Sequence, residues 1–204
     1  MNKNALLIFT RNPELGKVKT RLAKTVGNQT ALEIYKFLLQ RTVEVTQPLQ
    51  ADTFVYYSEN IQETDIWNKE TYKKRLQTGE DLGKRMYNAF AKAFSENYKN
   101  VVIIGSDLYD LTTDHLNQAF LKLEHNDVVI GPAEDGGYYL LGLKKLFPRI
   151  FENKQWGTST VREATLKQLN KHKIHELEML NDADVYEDIK DHPAFQSFLK
   201  PNTK

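Results

Sequence analysis

Short apolar runs alternate with amphipathic stretches along most of this chain. Ala5–Thr10, Thr53–Tyr57, Val101–Gly105 and Asp127–Gly131 each hold consecutive apolar residues between polar flanks, the pattern of strands buried on both faces. Between them, apolar positions recur at helical spacing. Thr30–Gln47 puts Ala31, Leu32, Tyr35, Leu38, Leu39 and Val43 on one face; Leu82–Asn97 does so with Leu82, Met86, Ala89, Phe90, Ala93 and Phe94. Thr113–Leu123 is a third helix, with Thr112 placed to cap it. Helices between strands predict right-handed crossovers and a parallel sheet. After Pro132 no helix precedes the β-prone Gly136–Leu143, so this segment is expected to return antiparallel and make the sheet mixed. A helix over Ser159–Lys171, a strand over Ile174–Met179, a helical turn over Val185–Ile189 and a last turn over Ala194–Leu199 complete the pattern, with fraying expected from Pro201.

This is an α/β pattern with a mostly parallel sheet, and 204 residues suit a single domain spanning 1–204 with a sizeable core. A net charge of +1 provides no bulk basic field for nucleic acid or acidic membranes, so any anion site must be local. The absence of cysteine excludes disulfide and thiolate chemistry. The apolar run Ala5–Phe9 is too short for a signal segment or a membrane span, and the expectation is a cytoplasmic protein.

Four segments carry candidate chemistry. The first follows the first strand: Thr10, Arg11, Lys17, Lys19 and Arg21 fall within one connection, where Gly16 admits a close ligand approach. Arginine grips phosphate in bidentate fashion and lysine supplies a compact charge, so this segment is read as an anion site, the alternative being a solvated basic loop. It lacks the spacing of a Walker loop. The second segment, Gln77–Met86, offers Arg85 beside a helix start at which Asp81 suits the dipole. The third, Gly131–Tyr139, sets Glu134 and Asp135 before a double glycine and two tyrosines. Asp135 can bind hydroxyls or act as a base, and strand alternation lets at most one tyrosine face a site; a plain Asp-Gly hairpin turn is the alternative.

The organising feature is Val101–Asp110, in which a four-residue Val/Ile run ends in Gly105-Ser106-Asp107. Ligands of open α/β sheets bind just outside the carboxyl ends of the strands, where a carboxylate can hold a divalent cation. The fourth segment, Asn181–Asp188, contributes Asp182 and Asp184, which could complete a metal site begun by Asp107. Oxygen donors favour Mg2+ or Mn2+ over zinc. Read plainly, Asp107 is a turn residue and the late acidic run is a helix start. The five histidines show no ligand spacing and read as surface residues.

These motifs, in this order and over nearly the whole chain, resemble the DUF2064 family. The resemblance rests on Phe9–Pro13 with Lys17–Leu22, Asp81–Met86, Gly105–Leu111, the Gly-Pro-Ala-Glu-Asp-Gly-Gly-Tyr-Tyr block at 131–139, and Asp182-Ala183-Asp184. Leu108-Tyr109 stands where the family more usually has Cys-Pro, and Val185-Tyr186 where it has Thr-Pro; both departures spare the carboxylates. The resemblance implies a GT-A, nucleotide-diphospho-sugar transferase-like α/β/α sandwich and a glycosyltransferase. Donor phosphates would be held by the Arg11–Arg21 segment and Arg85. Asp107, Asp184 and Asp182 would hold the metal, and Asp135 and Tyr138 would face the sugar or acceptor. The layout is also similar to small nucleotidyltransferases that release pyrophosphate, such as the molybdenum-cofactor and phospholactate guanylyltransferases, and a nucleotide-binding module without turnover is a third possibility. The partners implied are a nucleotide sugar or nucleotide and an acceptor whose identity the residues do not name.

Overall fold

The structure is a computed structural model that describes residues 3–199; the expectation for Pro201 onward lies outside them. Seven strands form one sheet: β1 (Asn4–Thr10), β2 (Asp52–Tyr57), β3 (Tyr72–Leu76), β4 (Asn100–Gly105), β5 (Val128–Pro132), β6 (Tyr138–Leu143) and β7 (Ile174–Glu176), in the order β3-β2-β1-β4-β6-β5-β7. Only β6 runs against its neighbours: it pairs antiparallel with β4 and β5, while every other pairing is parallel. This is the mixed, mostly parallel sheet that the pattern predicts.

The helices are α1 (Thr20–Val26), α2 (Asn28–Thr46), α3 (Leu82–Ser95), α4 (Thr113–Leu123), α5 (Val161–Gln168), α6 (Tyr186–Ile189) and α7 (Gln196–Leu199). Side-chain alternation along the strands splits the core between the two sheet faces. Leu6, Ile8, Val102, Ile104 and Val129 pack with Leu32, Tyr35 and Leu39 of α2 and Leu116 and Phe120 of α4. Ala5, Leu7, Val101, Ile103, Val128 and Ile130 pack with Met86, Ala89, Phe90 and Ala93 of α3. The central strands are buried on both faces, each large apolar side chain contributing about 1.5–3 kcal/mol.

The structure adds or trims several elements. β3 was not expected: Tyr-Lys-Lys-Arg-Leu has no apolar alternation, because it is an edge strand whose lysines blunt the open side of the sheet. The basic segment is not all loop, since α1 begins at Thr20 inside it. β7 ends at Glu176 instead of Met179, and α5 spans Val161–Gln168 instead of Ser159–Lys171. His115 is more than a surface residue. Its Nδ1 accepts the Thr112 N–H at 3.2 Å and closes a capping box at the start of α4.

Candidate active site

Parallel packing brings the ends of β1, β4 and β5 to one edge of the sheet. Thr10 and Arg11 leave β1 there, Ser106 and Asp107 leave β4, and Ala133–Asp135 follow β5. Because β6 is reversed, it enters the sheet at the same edge with Tyr138. All four segments singled out in the sequence therefore meet in one place.

The start of the basic segment is pinned from beneath. The Tyr35 hydroxyl, rising from α2, accepts the Arg11 N–H at 2.9 Å and lies 3.2 Å from the Arg11 carbonyl, Thr10 Oγ1 and Ser106 Oγ. Burial raises its pKa, which keeps the phenol neutral as a donor and acceptor. Asn12 donates to the Asn60 carbonyl at 2.8 Å and accepts from the Glu59 N–H at 3.2 Å. Gln77 donates to the Thr10 and Tyr56 carbonyls at 3.2 and 2.9 Å. These bonds fix the backbone from Thr10 to Asn12, whereas the Lys17 and Arg21 side chains extend into solvent, 58% and 63% exposed.

At the centre lies a charge network. The Lys19 ammonium, 3% exposed, donates to Asp107 Oδ2 at 2.9 Å and to Asp184 Oδ1 at 3.2 Å; Arg21 donates to Asp184 Oδ2 at 2.9 Å. Burial works against the Lys19 charge, but Asp107 and Asp184 outweigh it and its pKa is raised. The Lys19 charge, opposed by desolvation, holds the Asp107 carboxyl below its ordinary range. Asp107 lies deep at the foot of the cleft, yet its side chain is 43% exposed because it opens into the cleft itself. Lys19 sits in the left-handed region, at φ 45° and ψ 44°, where a non-glycine residue costs about 1–3 kcal/mol and where functional sites concentrate such strain. Asp182 stands apart from the lysine. Burial, helped by the charges of Asp135 and Asp107, pushes its pKa up to about 6. Asp188 does not face the cleft: it accepts the N–H groups of Asp184 and Val185 at 2.9 and 2.7 Å and so shapes the turn that presents Asp182 and Asp184.

Two cavities share Phe9, Leu82 and Asp107 as a common wall. The larger, about 590 Å3, is a polar basin lined by Thr10, Arg11, Lys17, Lys19, Arg21 and Arg85, with Asp107 and Asp184 at its base. Arg85 is aimed by donating to the Gly79 carbonyl at 3.1 Å, while Asp81 caps α3 by accepting the Lys84 N–H at 2.8 Å. The smaller, about 250 Å3, is an apolar chamber walled by Phe9, Met86, Ile103, Leu108, Leu111 and Trp156, with Asp107, Asp135 and Asp182 also lining it.

Both Tyr138 and Tyr139 line the chamber, which corrects the expectation that at most one tyrosine reaches the site. Their rings do join opposite faces of the sheet, but the chamber wraps around its end. The Tyr139 hydroxyl donates to the Glu178 carbonyl at 3.0 Å. The Tyr138 hydroxyl is buried beside the Thr165 hydroxyl, which donates to the Val161 carbonyl at 2.8 Å. Asp135 Oδ1 accepts the Gly137 N–H at 2.7 Å, which makes the hairpin turn and fixes the carboxylate at the cleft. The supporting roles of Tyr35, Asn12, Gln77 and Trp156 were not expected; the isolated tryptophan beside Gly157, in an otherwise polar connection, was the one available signal.

Residues 41–158 match the family model described as "Uncharacterized protein conserved in bacteria (DUF2064)". A crystal structure from Desulfovibrio desulfuricans G20, described as a "putative nucleotide-diphospho-sugar transferase", is 33% identical, with 96% of this chain and 91% of that one covered at a TM-score of 0.86. The chain belongs to the DUF2064 family. The match to the family model leaves the Arg11–Arg21 segment and the Asp182/Asp184 pair outside it, but the Desulfovibrio relative covers nearly the whole chain. Two more distant structures share the fold. One is 4-diphosphocytidyl-2C-methyl-D-erythritol synthase from Anaerococcus prevotii DSM 20548 (11% identity, coverage 95% and 96%, TM-score 0.60). The other is Rv0371c from Mycobacterium tuberculosis H37Rv in complex with manganese (11% identity, coverage 92% and 96%, TM-score 0.53). No curated protein matches the sequence. This DUF2064 protein thus has the fold of nucleotide-diphospho-sugar transferases, and among its described residues no helix is long and apolar enough to cross a membrane.

Proposed function

We infer that the protein is a nucleotide-diphospho-sugar transferase, with the donor's diphosphate in the polar basin and the acceptor in the apolar chamber. One observation carries this reading: two cavities of opposite chemistry meet at a single carboxylate, Asp107, at the carboxyl end of the central strands. Arg11, Lys17, Arg21 and Arg85 hold the phosphates, while Lys19 holds Asp107 and Asp184 in place through its ion pairs. The acceptor oxygen bonds to the anomeric carbon, and the bond from that carbon to the diphosphate oxygen breaks with its electron pair staying on the diphosphate. The acceptor's proton passes to Asp135, the base for an inverting transfer.

The fold and the acidic residues imply a divalent cation. Asp107, Asp182 and Asp184 are the all-oxygen donors that Mg2+ or Mn2+ prefers. Among the described residues, no cluster of three or more acidic, histidine or cysteine side chains stands ready to hold a metal, because Lys19 occupies the space between Asp107 and Asp184. The donor chemistry fits nonetheless. Burial, with the neighbouring charges of Asp135 and Asp107, raises the Asp182 pKa, and a cation beside these carboxylates would offset that cost. Asp107 and Asp182 would hold the ion, with Asp184 the third oxygen donor nearby. When bound, it supplies positive charge beside the leaving diphosphate.

The basin's four phosphate-facing cations, Arg11, Lys17, Arg21 and Arg85, also match the charge of a nucleoside triphosphate, which favours nucleotidyl transfer as a second reading. Incubation with a panel of nucleotide sugars, nucleoside triphosphates and hydroxylated acceptors, with Mn2+ present, separates the readings. Release of a nucleoside diphosphate supports sugar transfer, and release of pyrophosphate supports the second. Nucleotide binding without turnover of any donor would overturn both in favour of a binding module. Location in the cytoplasm fits a soluble sugar-nucleotide enzyme, and fractionation of cells tests it.

A further inference from the structure

We propose that the apolar chamber selects an uncharged alcohol with an apolar body, an aryl or short-chain alkyl alcohol, as the second substrate, and rejects both free sugars and phosphate esters. This deepens the transferase reading by naming the acceptor class, and it rests on that reading for the reaction but not for the binding.

The chamber is built, not incidental. Gly83 lies where an added Cβ would stand 2.6 Å from the Trp156 ring and 2.4 Å from the Phe151 carbonyl, so the indole can reach its place in the wall only over a glycine. Gly131 does the same for Tyr139, whose ring carbon Cζ would lie 2.4 Å from an added Cβ. Two glycines in two motifs, Asp-Leu-Gly-Lys and Ile-Gly-Pro, therefore shape two aromatic walls of one cavity.

Its lining decides the occupant. Phe9, Met86, Ile103, Leu108, Leu111 and Leu141 offer no hydrogen bonds, so polyol hydroxyls held against them would lose water without replacement, at roughly 1–3 kcal/mol each, and only those that reach Asp107, Asp135, Asp182 or Thr158 would be served. In the metal-free protein a phosphate ester is excluded for a different reason. The charged residues of this chamber are Asp107, Asp135 and Asp182, and the cations that could offset a phosphate line the basin. An apolar body that bears one hydroxyl near the shared wall meets neither penalty. A volume of about 250 Å3 restricts that body to one ring and a short chain. The Tyr138 ring adds aromatic wall to the chamber, while its hydroxyl is buried beside Thr165 and out of an occupant's reach. Transfer to this alcohol follows the bond changes given above, its proton passing to Asp135.

The test needs no nucleotide. The chain has two tryptophans, and the buried Trp67 does not line the chamber, so Trp67→Phe leaves Trp156 as the sole reporter. Fluorescence of this full-length variant is titrated with 4-propylphenol, 4-propylphenyl phosphate and glucose. A saturable change with the phenol, at least tenfold weaker with the phosphate and absent with glucose, is the expected result. Thr158→Phe, a substitution on a half-exposed residue at the chamber wall, removes the response by filling the space without touching the core. No response to the phenol, an equal or stronger response to glucose or the phosphate, or a response that Thr158→Phe leaves intact would overturn the proposal. None of these results bears on whether the basin binds nucleotide, and failure of the basin to do so would leave this measurement unaffected.

Discussion

The polar basin and the apolar chamber share a wall but are assembled in different ways. Most of the basin's cations come from one contiguous segment, Arg11 to Arg21, braced from outside by Tyr35 and Gln77 and by its own Asn12. The chamber takes its wall from β1, α3, β4, the β5–β6 hairpin, the connection before α5 and the acidic turn. A binding surface made from one loop is fixed by local hydrogen bonds and can be altered residue by residue. One made from six segments exists only when the whole sheet edge is formed, and single substitutions in it are felt as packing defects.

Asp107 belongs to both cavities, so its replacement has the largest expected effect. Asp107→Asn should lower turnover by about 100-fold or more by removing charge at the leaving group. Lys19 retains Asp184 at 3.2 Å, so the fold survives. Steady-state kinetics with a circular dichroism control read both outcomes; unimpaired turnover would remove Asp107 from the centre. Gly83→Ala strikes the chamber alone. Its methyl group meets Trp156 and the Phe151 carbonyl, and the displacement should cost about 1–3 kcal/mol in thermal melts while nucleotide binding in the basin persists. Equal damage to both cavities would refute their separate construction.

Asp182 gives a subtler contrast through pH. Its folded carboxyl takes up a proton at about 6. An unfolded aspartate does so at roughly 3.9, so between these values the folded state holds more protons. Its contribution to stability is therefore full below that window and is lost as pH rises through it. Asp182→Asn should melt higher than the native protein at pH 7.5 without metal, and the gap should close toward pH 4. A gap that does not change with pH would show that the carboxylate is not crowded. The smallest effect is expected at Arg21, which is 63% exposed. Arg21→Gln should leave the melting temperature nearly unchanged and weaken nucleotide binding by about 1 kcal/mol, roughly fivefold, in a calorimetric titration.

The same division explains what could be read from the sequence. The four-residue run Val101–Ile104 and the Met86/Ala89/Phe90/Ala93 stripe revealed β4 and α3 because period and burial agree there. The cations of the basin were visible because they are neighbours in the chain. Edge strand β3 was hidden because its Lys-Lys-Arg composition serves negative charge nearby and solvent, not a core; Arg75, for example, pairs with Glu96 at 2.8 Å. The chamber was hidden because Phe9, Leu111 and Trp156 become neighbours only through the sheet order, which puts β6 between β4 and β5. The Lys19 bridge between Asp107 and Asp184 joins positions 88 and 165 residues apart, and no local pattern announces such a contact.

The central claim, that the basin binds a nucleotide diphosphate, is tested most directly by thermal melts with nucleoside diphosphates, nucleotide sugars and nucleoside triphosphates, each with and without manganese. A ligand that binds only the native state raises the midpoint by mass action. The account predicts stabilisation by one nucleotide sugar, enhanced by manganese and lost in Arg11→Ala/Lys17→Ala. No shift with any nucleotide, or a shift that the double variant retains, would contradict it.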